Sequence, residues 1–234
     1  MESQTILIPQ RFCGPPTSGN GGYTCGLIAR ALKATSAEVT LRKPIPINRP
    51  LKIVIEGGAA RLLDGEELIA EGELAEWEPD VVPIVTFEEA QAASAKSPAF
   101  KDHPFPTCYV CGPDRDDGLG IFPGPVERLS QQGAFAAPWV PHREQAGEAG
   151  AVRNEIIWAA LDCPTGFAGG FPADGTLVTG RLAVQLYLAV MAEEKCVLVS
   201  WPRGIEGRKH LSDGALLGAD GAVKAVARAT WIKL

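Results

Sequence analysis

Gly21-Gly22-Tyr23-Thr24-Cys25-Gly26-Leu27-Ile28-Ala29-Arg30-Ala31-Leu32 is the stretch on which the reading of this chain turns. Tyr23, Leu27, Ile28 and Ala31 recur at helical spacing, so residues 23–33 read as a helix with one apolar face. Ser18 or Asn20 is placed to cap it, because either side-chain oxygen can accept from first-turn N–H groups. The same character returns at Ile156-Ile157-Trp158-Ala159-Ala160-Leu161-Asp162. After each helix come β-like segments, a Leu-Leu pair (Leu62-Leu63, Leu216-Leu217), a turn at Asp64-Gly65 or Asp220-Gly221, and a closing strand carrying Trp77 or Trp231. The two turn-to-Trp spacings differ by two residues, as in a divergent repeat. A duplicated α+β unit often builds its functional site between the copies, so residues from both halves are expected at one site.

Around these anchors the chain divides into a first unit at 1–78, a connection at 79–117 and a second unit at 118–234. In the first unit, strands are expected at 5–12, 38–42, 51–55, 59–63 and 67–77, the last two joined by the hairpin signal Asp64-Gly65. The connection is rich in Ala, Pro, Glu and Ser, with a short helix at 87–90. The second unit reads as strands at 119–122 and 133–140 and a helix at 154–167. Pro164 is expected to kink or shorten that helix. Strands at 177–192, 196–202, 208–217 and 222–234 follow. Residues 182–189 alternate poorly, which suits a central strand covered on both faces.

Composition narrows the function classes. A hydrophobic content of 46% and a charged content of 21% are ordinary for a globular chain of 234 residues. The net charge of -6 argues against general nucleic-acid binding, which favours a basic face. The first residues lack a basic segment and a long apolar core, and no apolar run approaches the ~20 residues of a membrane span. A soluble cytoplasmic protein is expected, with no nucleic acid and no membrane as partner. Open sheet edges are compatible with a homodimer.

Helix followed by antiparallel strands, twice, resembles a double hotdog fold, in which a long helix is wrapped by a curved sheet and two copies lie side by side. Asn20-Gly21-Gly22 before an apolar helix resembles the Gly-Gly helix start of acyl-CoA thioesterases. Trp158-Ala159-Ala160-Leu161-Asp162 resembles the helix segment in which hotdog thioesterases carry a catalytic aspartate. Gly207-Arg208-Lys209, opening a strand that leads to Asp220-Gly221, resembles the second-to-last strand of that superfamily. The layout is most similar to the double-hotdog type II acyl-CoA thioesterases, with an α+β fold of two tandem repeats. The resemblance implies a small-molecule acyl thioester as substrate, coenzyme A as part of that substrate and no separate cofactor. It also implies Thr179 as a site threonine. The family's glutamine on the last strand has no counterpart, since residues 225–231 contain none.

Each candidate residue has a chemical reason. Asp162 lies in a largely apolar helical stretch, where a carboxylate is costly unless it is paired or hydrogen-bonded. There it would activate water as a general base or attack the thioester carbon. Gly21 and Gly22 would offer bare N–H groups at a helix N-terminus to a developing oxyanion. Asn20 would border that site, and Tyr23, Leu27 and Trp158 would line an acyl tunnel. Arg203, Arg208 and Lys209, with His210 adjacent, form the densest basic cluster and would grip coenzyme A phosphates.

The six cysteines are scattered and are expected to be free thiols. Cys108-x-x-Cys111 with His103 has metal-like spacing, but a structural zinc site needs four donors and no second Cys-x-x-Cys exists. Gly112-Pro113 argues against the helix that a redox motif requires. Packed thiols and no metal are therefore expected, and Cys25 and Cys163 read as small buried hydrophobes. Three functions compete: a thioesterase, a non-catalytic protein holding an acyl or other apolar ligand, and a hydratase. The absent glutamine favours the second, and the absence of a histidine from either helix ranks the third last.

Overall fold

The computed structural model describes residues 2–79, 81–101, 103–147, 149–173 and 175–234. Three α-helices occur among them: α1 (Gly21–Ala31), α2 (Phe87–Ser94) and α3 (Asn154–Ala168). The strands are β1 (Glu2–Leu7), β2 (Ser36–Leu41), β3 (Pro50–Glu56), β4 (Ala59–Asp64), β5 (Glu67–Leu74), β6 (Gly124–Pro125), β7 (Phe135–Trp139), β8 (Leu177–Leu186), β9 (Cys196–Glu206), β10 (Lys209–Gly218) and β11 (Val223–Lys233). All join one antiparallel sheet in the order β1-β3-β4-β5-β2-β8-β11-β10-β9-β7-β6. The middle of the sheet is the β2–β8 pair, in register from Ser36↔Gln185 to Thr40↔Arg181. Arg181 ties that seam with a hydrogen bond to Thr40 Oγ1 (3.1 Å) and an ion pair to Glu38 (3.2 Å).

α1 and α3 lie against each other in the main core. Their close approach is written in Gly22 and Gly26, four residues apart and so on one helix face. A Cβ on Gly22 would stand 2.6 Å from the Trp158 carbonyl oxygen, and one on Gly26 2.5 Å from the Glu155 Cα. Only glycine permits backbone to meet backbone at that distance. α1 is capped by Asn20, whose side chain accepts from the Tyr23 N–H at 2.9 Å. Ser18, the other candidate cap, instead accepts from the Ile45 N–H at 2.8 Å.

α3 runs through Pro164 to Ala168, so the expected shortening does not occur. An interior proline costs about 3 kcal/mol. Sheet side chains offset that loss by holding the helix's C-terminal half. Ser200 Oγ donates to Pro164 O (2.7 Å), Ser212 Oγ to Thr165 O (2.7 Å) and Trp231 Nε1 to Thr165 Oγ1 (2.9 Å). His210 Nδ1 lies 2.6 Å from Gly169 O, which makes His210 a buried partner of the helix end rather than a member of a basic surface. At roughly 1 kcal/mol each, these four bonds are of the same size as the proline's cost.

Several strand expectations need correcting. The leading strand stops at Leu7, because Pro9 precedes a single turn of 3-10 helix at Gln10–Phe12. The region expected as one strand at 177–192 is β8 to Leu186, followed by loop. Residues 119–122 form no strand. Leu119 N donates to Tyr109 O (2.7 Å) and Ile121 N to Val110 O (3.0 Å), so their backbone is spent on a loop.

Most of that loop belongs to the stretch expected as a connection, and it is packed into the core. Cys108, Tyr109, Val110 and Cys111 are buried in the main core, where Tyr109 meets Phe12 and Tyr23 edge-on. Further back, Ala90 and Ala93 of α2 pack with Ala136, Val199 and Val226 in a second core. The helix starts in a capping box, with Glu89 N donating to Thr86 Oγ1 (3.2 Å) and Thr86 N to Glu89 Oε2 (2.8 Å). No helix among the described residues is long and apolar enough to cross a membrane.

Candidate active site

A cavity of about 490 Å³ opens between the start of α1, the second half of α3, β8 and the end of β11. Its wall is mostly apolar, with Phe167, Phe171, Leu177 and Trp231 prominent, and a few polar groups converge on it. Asn20, Gly21, Asp162 and Thr179 all border it. They reach it from the N-terminus of one helix, the middle of another and a central strand.

Asp162 is 1 % exposed, and both its oxygens are held. Oδ2 accepts from the Gly22 N–H at 2.8 Å, and Oδ1 accepts from the Thr179 hydroxyl at 2.9 Å. These donors are neutral, and among the described residues no cation pairs with Asp162. Burial pushes the Asp162 carboxyl up to about 7, while the Gly22 N–H and the Thr179 hydroxyl favour the charged form and oppose the rise.

The two glycines have different jobs. Gly22 stands behind the carboxylate and its N–H is committed to Asp162, so it is not the oxyanion donor that the sequence suggested. Gly21 borders the cavity, and a Cβ there would come 2.7 Å from Thr179 Oγ1. As the first residue of α1 its N–H has no intrahelical acceptor, and no described residue accepts from it. It is the one first-turn donor of α1 without an acceptor among the described residues, at the positive end of the helix dipole.

Other expected site residues fall elsewhere. Tyr23 is buried and stacks on Phe12 with ring centroids 4.0 Å apart. Trp158 and Leu27 are core residues, and none of the three lines the cavity. Arg203 lies 3.6 Å from Asp213, and Arg208 and Lys209 are exposed at the β9–β10 turn. None of these cations borders the cavity; Arg42 and Lys43 do. Each of those two is half-exposed and paired with a glutamate, Arg42 with Glu71 and Lys43 with Glu67. They follow β2 in a proline-rich bend, where nothing in the local sequence distinguishes them from solvated charges.

Sequence reasoning also missed a cluster of sulfur. Cys108, Cys111 and Cys163 border the same cavity, all three buried, with Sγ atoms within 4.8 Å of one another. Cys108 Sγ and Cys163 Sγ are 3.7 Å apart, and His103 Nε2 is 3.3 Å from Cys111 Sγ. The Cys-x-x-Cys spacing was visible, but its third member comes from α3, a contact across 55 residues that no local pattern marks.

No family model matches the chain, and no curated protein matches its sequence. Solved structures do match in shape. The tesB protein of Mycobacterium avium subs paratuberculosis superposes at a TM-score of 0.65 with 9% identity, over 98% of this chain and 92% of that one. An acyl-CoA thioesterase II, TesB2, of Mycobacterium marinum does so at 0.64 with 12% identity, over 99% and 93%. At such identities the likeness establishes architecture: the chain has the fold of the TesB-type thioesterases.

Proposed function

We propose that this protein hydrolyses an acyl-CoA thioester, at a site shared between two tandem hotdog repeats. The first repeat contributes α1 and the second α3 and β8. The sheet order reads as the same arrangement outward from the β2–β8 seam, which supports the repeat. One observation carries the functional reading: a buried carboxylate bordering an apolar cavity, held only by neutral donors, beside an unused helix N-terminal N–H.

In this mechanism Asp162 takes a proton from a water that attacks the thioester carbonyl carbon. A C–O bond forms, and the carbonyl electron pair moves onto oxygen, where the Gly21 N–H donates to it. The adduct collapses, the C–S bond breaks, and the coenzyme A thiolate recovers the proton from Asp162. Thr179 and Gly22 act through Asp162 by fixing the carboxylate plane. Since both oxygens are already held, the base role fits better than direct attack. Phe167, Phe171 and Trp231 would enclose the acyl chain, and Arg42 and Lys43 would meet the coenzyme A phosphates in place of Arg203, Arg208 and Lys209.

The second reading, a protein that holds acyl ligands without turnover, has one observation in its favour. β11 offers the cavity Trp231 and Ile232 and no glutamine. Free-thiol release from a panel of acyl-CoAs separates the two. Turnover that falls at least 100-fold in Asp162→Asn, with acyl-CoA affinity retained, is the expected result. Undiminished turnover in that variant would remove Asp162 from the mechanism, and binding without turnover in the wild type would leave the ligand carrier.

A further inference from the structure

We propose that Cys108, Cys111 and Cys163 bind one thiophilic divalent metal ion of the zinc class on the wall of the cavity, with the fourth coordination position filled from the cavity. The inference is independent of thioester hydrolysis and stands on the geometry of the sulfurs and of the groups around them.

Zinc–sulfur bonds of about 2.3 Å in a tetrahedron place neighbouring sulfurs about 3.8 Å apart. The 3.7 Å between Cys108 Sγ and Cys163 Sγ matches that edge. It is far longer than the roughly 2.0 Å of a disulfide. The third sulfur lies within the same 4.8 Å group, so all three thiols already surround a common centre.

The loop that carries two of them is shaped for the purpose. Gly112 N donates to Cys108 O at 2.9 Å, closing a tight turn over the Cys-x-x-Cys. A Cβ at Gly112 would fall 2.5 Å from both Cys108 N and Pro106 O, so the turn admits no side chain there. Asp114 N donates to Pro106 O at 2.9 Å and locks the far side. α3 supplies the third sulfur, Cys163.

His103 completes the surroundings without being a ligand. The Phe105 N–H donates to His103 Nδ1 at 3.0 Å, so Nδ1 is the acceptor of the neutral ring and the proton sits on Nε2. That N–H then points at Cys111 Sγ from 3.3 Å. Asn20 Nδ2 adds a longer contact to Cys108 Sγ (3.9 Å) and Cys163 Sγ (4.0 Å). Hydrogen-bond donors directed at the sulfurs suit metal-bound thiolates, whose excess charge such outer contacts disperse. Three protein ligands leave one position, and because all three cysteines border the cavity, a water or a ligand there can take it.

The test uses the full chain purified without chelator. Elemental analysis should give one zinc per chain. Removing the metal and titrating the apoprotein with Co²⁺ should produce sulfur-to-cobalt charge transfer and the intense visible bands of a tetrahedral site, saturating at one equivalent. Cys163→Ala should lose the metal, while Cys196→Ala, a buried cysteine outside the cluster, should retain it. Should Cys163→Ala not fold, Cys111→His serves instead: it keeps the metal while the charge-transfer intensity falls by about a third. A wild-type protein without stoichiometric metal whose apo form gives no cobalt spectrum would overturn the proposal. So would a Cys108–Cys163 disulfide in protein handled anaerobically.

Discussion

Replacing Gly22 by alanine tests the contact on which the whole site depends. The added Cβ would lie 2.5 Å from Asp162 Cβ, 2.6 Å from the Trp158 carbonyl oxygen and 2.9 Å from Ala159 Cα. Carbon atoms pack at about 3.5–4.0 Å, so α1 and α3 must part by roughly 1 Å. Two of the three obstructing atoms are backbone, and no rotamer change can move them. Overpacking of this kind costs about 1–3 kcal/mol. The same shift breaks the 2.8 Å bond from Gly22 N–H to a buried carboxylate, worth about 1.5–3 kcal/mol. With partial relaxation the net loss should be about 3 kcal/mol. In a chain of this length that corresponds to a fall in Tm of about 6–12 °C. Urea denaturation with a parallel thermal scan reads both. Gly147→Ala is the control, because its nearest neighbours would stand 3.9 Å from a new Cβ and the change should stay within about 1 kcal/mol. A Gly22→Ala variant within about 0.5 kcal/mol of wild type would refute the close packing of the helices and the Asp162 bond with it.

Thr179→Val keeps the side-chain shape but leaves Asp162 Oδ1 without its donor; a loss of about 1–2 kcal/mol in urea denaturation is expected, with turnover down at least tenfold and acyl-CoA affinity retained. Equal turnover in that variant would detach Thr179 from the carboxylate's function. Replacing Arg42 and Lys43 together by alanine should raise KM for acyl-CoA several-fold at low salt, with the difference shrinking as ionic strength rises. The matching change at Arg208 and Lys209 should leave KM unmoved, and the opposite pattern would return the phosphate contact to the β9–β10 turn.

What the sequence made legible was whatever local periodicity governs. α1 and α3 were readable because apolar residues recur at helical spacing, and the β4–β5 hairpin because Asp64-Gly65 supplies a left-handed turn, with Gly65 at φ 59. Asp162 stood out because a carboxylate in an apolar helix demands an explanation. What was not legible is what long-range packing decides. Arg203, Arg208 and Lys209 are neighbours along a hairpin, but adjacency in sequence does not say which end of a sheet borders a cavity. The helix survives Pro164 because Ser200, Ser212 and Trp231, from three different strands, supply its bonds. Tyr109, within the expected connection, is core because the loop around it folds inward against Phe12 and Tyr23, a packing that composition does not mark.

The strongest argument for Asp162 comes from its comparison with Glu155. Both are buried acids on α3, seven residues and so two turns apart, which puts them on the face that meets α1. The two helices run antiparallel, with Gly22 against Asp162 and Gly26 against Glu155. Glu155 meets the C-terminal end of α1, where Arg30 pairs with it at 2.7 Å, and Arg153 adds a second cation at 3.8 Å. Its charge is paired, and it does not line the cavity that Asp162 borders. Asp162 meets the N-terminal end of the same helix, where the dipole and the Gly22 N–H take the place of a cation. A purely structural acid at that depth would be expected to acquire a cation as Glu155 has, because an unpaired buried charge is costly. Asp162 has only neutral donors, which offset the effect of burial in part, so its carboxyl stays raised to about 7, and it borders the cavity. The pair thus separates an acid paired with cations between the helices from an acid with neutral donors beside a cavity, the arrangement that the proposed base role requires.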